Sequence, residues 1–138
     1  MQAVEGSETV LVVDDEFSVL SLTHAMLRRY GYTVIGANSA AEALRLFKVW
    51  HDLEVDLALV DIVMSEMDGF ELAERLLKIR PGLPIVYISA YAENEQSIPS
   101  PAGDLPFLAK PFTAQQLGAK VRAVLDSANT ASSACATG

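Results

Sequence analysis

The 138-residue chain is 51% hydrophobic and 20% charged, with a formal net charge of −8; that is enough for one domain with a core of its own. The acidic balance argues against nucleic-acid binding as the main activity. The single cysteine, Cys135, excludes an internal disulfide framework and a multi-cysteine metal site. No apolar run approaches the roughly 20 residues of a membrane helix, and "MQAVEGSETV" lacks the basic start and apolar core of a secretion signal. The expectation is therefore a cytoplasmic domain with no membrane insertion.

Strand and helix patterns alternate along the chain. "TVLVV" (Thr9–Val13) is short, β-branched and continuous, the pattern of a strand buried on both faces. Phe17 to Tyr30 is helical, with Val19, Leu20, Leu22, Thr23, Met26, Leu27 and Tyr30 on one broad face and Gly31 as the stop. "YTVIGA" (Tyr32–Ala37) is a second strand. Ser39 with Glu42 forms a capping box, and Ala40, Ala43, Leu44 and Phe47 line a helix ending near Trp50. "DLALVD" (Asp56–Asp61) is a third strand. Asp68 with Glu71 caps a helix marked by Phe70, Ala73, Leu76 and Leu77 and closed by Pro81-Gly82. "LPIVYIS" (Leu83–Ser89) is a fourth strand. From Ala92 to Asp104 the helical signal is poor and Pro99 and Pro101 interrupt it, so a short helix and then a loop are expected. "LPFLA" (Leu105–Ala109) is a fifth strand. Thr113 with Gln116 caps a last helix carrying Leu117, Val121, Val124 and Leu125. "SANTASSACATG", from Ser127, is small, polar and unpatterned and reads as a disordered tail.

Such alternation predicts an α/β domain, a parallel sheet with helices on both faces. Ligands of such sheets bind beyond the carboxyl ends of the strands. There the first strand ends in Asp14-Asp15, the third in Asp61 and the fourth in Ser89, while Lys110-Pro111 follows the fifth. Three carboxylates, a hydroxyl and an ammonium then share one edge. The carboxylates repel unless a cation is bound, and hard oxygen ligands select Mg²⁺, Mn²⁺ or Ca²⁺. A carboxylate there could attack phosphorus, with the metal, Lys110 and Ser89 neutralising the transferred group. Taken singly, each residue has an ordinary alternative: Lys110 an exposed lysine, Ser89 a strand-end cap, Asp61 a turn former. Their joint occurrence at four strand ends is what carries the argument.

In this arrangement the chain resembles the receiver domain of two-component response regulators, from about Val10 to Asp126. "VLVVDDE" is similar to the family's first strand with its acidic pair, "LALVDIVMSEMDGFEL" to its phosphoacceptor segment, "PIVYISAY" to the hydroxyl-bearing strand and "FLAKPF" to its lysine motif. The gaps match too: 46 residues from Asp15 to Asp61, 28 to Ser89 and 21 more to Lys110. The resemblance implies a flavodoxin-like, doubly wound five-stranded parallel sheet in the order 2-1-3-4-5, with a short or irregular fourth helix. It divides the chain into an extension (1–8), a receiver domain (9–126) and the tail (127–138). It implies that Asp61 accepts phosphate from the phosphohistidine of a histidine kinase or phosphotransfer protein. Mg²⁺, with Mn²⁺ as a substitute, would be held by Asp15, Asp61 and the Val63 carbonyl, with Asp14 helping through water. Lys110 would bind the phosphoryl group, Ser89 would swing toward it and the Phe107 rotamer would follow. Lys110-Pro111 becomes a candidate cis peptide.

The departures are informative. Ser65 stands where the family usually has proline. Val63 and Tyr91, at the positions that tune phosphoryl lifetime, hold an attacking water poorly, so slow self-dephosphorylation is expected. The atypical fourth helix argues for a monomer or weak dimer. "GSETVLVVDDE" and "IVYISAY" especially resemble receivers at the carboxyl end of hybrid sensor kinases, and the sequence leaves a stand-alone regulator and an excised receiver both open, with the output partner unknown.

Other readings are weaker. His24, at the edge of the first helix's apolar stripe, reads as structural rather than as a phosphoacceptor, and Phe17 as the rim of the pocket. A haloacid-dehalogenase-type phosphatase wants a second aspartate where Val63 stands, and "DDEFS" has no glycine-rich nucleotide turn. The serious alternative is a phosphorylation-independent, receiver-like adaptor. The set Asp14, Asp15, Asp61, Ser89 and Lys110 favours a switch that acts on its own phosphorylation without being a conventional enzyme.

Overall fold

The computed structural model describes residues 6–50, 52–64, 67–89, 97–98 and 105–137. In chain order the elements are β1 (Thr9–Val13), α1 (Phe17–Arg29), β2 (Thr33–Ala37), α2 (Ala40–Val49), β3 (Leu57–Asp61), α3 (Gly69–Ile79), β4 (Ile85–Ser89), β5 (Ser97–Ile98), β6 (Leu105–Ala109) and α4 (Ala114–Thr137). The five long strands are parallel and run β2-β1-β3-β4-β6 across the sheet, which is the expected 2-1-3-4-5 order. The two-residue β5 adds an antiparallel edge against β6. It lies in the stretch read as a short helix and loop. Ser97 and Ile98 are the described residues there, and the rest of that expectation lies outside the described residues.

The continuous apolar strands have a direct cause. Side chains alternate across a strand, and both faces of this sheet are covered. Leu11, Val13, Ala58, Val60, Tyr87 and Phe107 pack with Ala43 and Phe47 of α2 and Leu72, Ala73 and Leu76 of α3. Val10, Val12, Leu57, Leu59, Val86 and Ile88 pack with Leu20 and Leu27 of α1 and Leu117, Val121 and Leu125 of α4. The helix starts are held as the capping residues predict. Ser39 Oγ accepts the Glu42 N–H at 3.0 Å, and Asp68 Oδ1 accepts that of Glu71 at 2.8 Å. Thr113 and Gln116 bond reciprocally, at 3.0 and 2.8 Å. Gly31 follows α1 at φ 99°, the left-handed conformation that ends helices.

Three expectations about helices are corrected. Leu22 is exposed; the buried face of α1 is Leu20, Thr23 and Leu27. On α3 the buried face is Leu72, Ala73 and Leu76, with Phe70 and Leu77 at its edge. The tail from Ser127, expected to be disordered, continues α4 to Thr137. It has no apolar stripe, but it is rich in alanine and free of glycine and proline until Gly138, and alanine has the highest intrinsic helix propensity.

The residues before β1 are tied in by a clamp. Arg122 on α4 meets Glu8 through two bonds, Nη2 to Oε2 at 2.6 Å and Nη1 to Oε1 at 3.1 Å. It also reaches Asp126 at 3.0 Å and the Tyr32 hydroxyl at 3.3 Å. The guanidinium holds the Glu8 carboxyl below its usual range. A carboxyl so depressed stabilises the fold above its unfolded pKa, and that contribution is lost as pH falls through the folded value. Glu8→Gln is therefore expected to cost about 1–2 kcal/mol at pH 7, with the difference from wild type closing as the pH falls below 4.5, as measured by urea unfolding.

Candidate functional site

Parallel pairing delivers the ends of β1, β3, β4 and β6 to one edge. Asp14 and Asp61 terminate neighbouring strands, paired through Val13 and Val60. Lys110 leaves β6 as its backbone N–H donates to the Ser89 carbonyl of β4 at 3.0 Å. Asp14 (1% exposed), Asp61 (4%) and Ser89 (4%) are the buried polar residues of this edge, while Asp15 is exposed.

Backbone bonds fix both buried carboxylates. Asp14 Oδ1 accepts the Glu16 N–H at 2.9 Å, and Asp61 Oδ1 accepts the Val63 N–H at 3.2 Å. The turn after Asp61 closes where the Gly69 N–H donates to the Ile62 carbonyl at 2.8 Å. A Cβ at position 69 would lie 2.5 Å from the Asp61 carbonyl oxygen, so glycine is required for α3 to begin this close to the strand end. The Lys110-Pro111 bond is cis.

The Lys110 ammonium lies among the carboxylates, 3.0 Å from Asp14 Oδ2, 3.2 Å from Asp61 Oδ2 and 3.6 Å from Glu16 Oε1. Burial disfavours the lysine's charge, yet Asp14 and Asp61 outweigh it and raise its pKa. Burial, then the Asp14 charge, push Asp61 up to about 6 against the pull of Lys110. One cation therefore does not neutralise the cluster.

That residual charge is the fit test for a metal. Asp14, Asp15 and Asp61 each offer a carboxylate oxygen, and these oxygens lie within 4.8 Å of one another. Asp14 Oδ2 is buried, and beyond its ionic contact with Lys110 it accepts no well-aligned hydrogen bond among the described residues. An all-oxygen, multiply anionic donor set of this kind fits Mg²⁺ or Mn²⁺.

Of the other residues read from the sequence, Ser89 closes β4 and Phe107 is buried in β6 on the same face, paired through Tyr87 and Ala109. The Val63 side chain is exposed. Tyr91 and Ser65 lie outside the described residues. Phe17 stands exposed beside the acidic pair. Two residues escaped the sequence reading of the site, Glu16 as an ionic partner of Lys110 and Gly69 as the spacer behind Asp61. Their signals were the third acid of "DDE" and the glycine directly before a helix.

The raised Asp61 pKa predicts a pH effect. The folded state binds this proton more tightly than the unfolded state does, so wild-type stability falls as pH rises from about 4 through 6. Metal-free Asp61→Asn is expected to be more stable than wild type by about 1–3 kcal/mol at pH 7.5. The gain should vanish near pH 4 and shrink in saturating Mg²⁺, as checked by thermal melts across pH.

Comparison with known proteins agrees with this geometry. Residues 10–122 match the family model described as response regulator receiver domain. The chain is 38% identical over 125 residues to the sensor kinase CckA of Brucella abortus (strain 2308), covering 89% of this chain and 13% of the kinase. A CheY-like receiver domain from Methanospirillum hungatei JF-1 superposes with a TM-score of 0.75 at 29% identity, over 91% of this chain and 98% of that one. The response regulator TrrA from Thermotoga maritima, solved in complex with Mg(2+)-BeF, superposes at 0.71 and 30% identity, over 85% and 98%. The chain spans at most about half the length of the first curated relatives it matches. With the strand order, the acidic edge and the family match in agreement, the chain belongs to the response regulator receiver domains of two-component signalling systems.

Proposed function

We propose that Asp61 is the phosphoacceptor, taking its phosphoryl group from the phosphohistidine of a histidine kinase or phosphotransfer protein in the cytoplasm. The observation that carries this reading is the Lys110 ammonium held between Asp14 and Asp61 at the carboxyl ends of three strands. A Mg²⁺ or Mn²⁺ held by Asp15, Asp61 and the Val63 carbonyl, with Asp14 helping through water, would neutralise phosphoryl oxygens. A carboxylate oxygen of Asp61 attacks phosphorus as the N–P bond breaks. The bonding pair stays on the imidazole nitrogen, and with the other ring nitrogen already protonated the donor leaves as neutral histidine. Lys110, 3.2 Å from Asp61, meets the negative charge on the transferred group. The Ser89 hydroxyl, on the adjacent strand end, donates to a phosphoryl oxygen.

Phosphorylation then biases two packed states of one surface. Ser89 and Phe107 share a face of the sheet, so a Ser89 that moves toward the phosphoryl group vacates space for the Phe107 ring, and the surface formed by the last two long strands and their helices changes for an output partner. Val63 and Tyr91 lack the acidic or amide groups that position an attacking water, which gives slow self-dephosphorylation. The protein acts as a monomer or weak dimer.

Incubation with acetyl phosphate, read by intact mass, tests this. One phosphate is expected on wild type only with Mg²⁺, decaying over minutes or longer rather than seconds, and none on Asp61→Asn. A folded protein that takes no phosphate under any condition would favour a phosphorylation-independent adaptor.

A further inference from the structure

The Lys110 ammonium occupies the ground a metal needs. It contacts Asp14 Oδ2 and Asp61 Oδ2, and both carboxylates belong to the three-residue cluster able to hold a cation. Mg²⁺ entering there competes with the Lys110 ammonium for these carboxylates, and the competition eases as Lys110 loosens its hold on them. The third carboxylate at the ammonium belongs to Glu16, at 3.6 Å, and it stands outside that cluster. Glu16 is the N-cap of α1. Ser, Thr, Asp and Asn in this position turn a side-chain oxygen onto the first free N–H groups of the helix, which would tie the side chain down. Glu16 makes no such bond. Its backbone is fixed by the bond from its N–H to Asp14 Oδ1, and its side chain is 64% exposed, so it has room to follow a lysine on a four-carbon arm.

We propose that Glu16 is a positioning residue, an alternative counter-ion that draws Lys110 off Asp14 and Asp61 so that a divalent cation can bind. This role rests on the metal reading given above. It acts through Lys110 and makes no contact with the metal. Without Glu16 the ammonium has, among the described residues, Asp14 and Asp61 as its remaining ion-pair partners, and each incoming cation competes with it directly.

A double-mutant cycle on Mg²⁺ affinity, measured by isothermal titration calorimetry on the unphosphorylated protein, tests the idea. Glu16→Gln is expected to weaken Mg²⁺ binding about 3- to 10-fold in the wild-type background. In a Lys110→Met background there is no ammonium to move, and the same change should then have little effect. Lys110→Gln serves if the methionine variant does not fold. An equal loss in both backgrounds would mean that Glu16 contributes only its general negative charge, and would overturn the proposal while leaving the metal site intact. A wild-type protein that binds no Mg²⁺ would instead overturn the metal reading, and this role with it.

Discussion

The structure turns on one unbalanced electrostatic contact, a single ammonium facing more carboxylates than it can neutralise. Lys110 lies within 4 Å of Asp14, Asp61 and Glu16, with Asp15 alongside. Two of these acids are almost fully buried, where like charges repel far more strongly than in water. A fold tolerates such crowding only if the backbone over-determines it. The over-determination here is visible: strands buried on both faces, N–H groups aimed at Asp14 Oδ1 and Asp61 Oδ1, and a glycine where a side chain would strike the Asp61 carbonyl. Burial, then the neighbouring Asp14 charge, raise the Asp61 pKa to about 6, and a ligand that brings positive charge opposes both. The site is therefore built to respond to what binds it.

That response has a physical route into the fold. Tyr87 and Phe107 are paired on neighbouring strands and buried against the α2–α3 layer, one side-chain step below Ser89. The Phe70 ring packs on Tyr87 with centroids 5.0 Å apart, so the aromatic layer beneath Ser89 reaches the edge of α3. A shift of Ser89 toward a new phosphoryl group would be felt through close-packed rings rather than through a loop. At the opposite edge of the sheet, the Glu8–Arg122 clamp holds the residues before β1 to α4. The end of the domain away from the acidic edge is thereby fixed while the charged end can change.

Much of this was legible in the sequence because burial on both faces leaves a strong mark. β1, β3 and β4, buried along nearly their whole length, read as near-continuous apolar runs, and the Ser39, Asp68 and Thr113 caps announced their helices. The acidic edge was legible because parallel topology makes strand ends converge, so residues far apart in sequence could be grouped before any contact was known. What escaped depends on quantities a linear pattern does not carry. Leu22 and Leu77 fit an apolar stripe in the sequence, but they fall outside the arc the sheet covers. The alanine-rich run after Ser127 has helical propensity without amphipathic signal, so it read as tail. Ser97–Ile98 is too short a strand to show a period. The Glu16–Lys110 and Glu8–Arg122 pairs are set by tertiary distance, and charged residues on their own read as a solvated surface.

The proposed chemistry is an acyl phosphate formed on Asp61 at the acidic edge. Borohydride reduction of the phosphodonor-treated protein, followed by peptide mapping, addresses it at the atom concerned, since an aspartyl phosphate is reduced to homoserine whereas phosphate on a hydroxyl or an imidazole is not. Homoserine is expected at position 61 and at no other aspartate. Homoserine at Asp14 or Asp15, or phosphate retained on Ser89 or His24 after reduction, would contradict it.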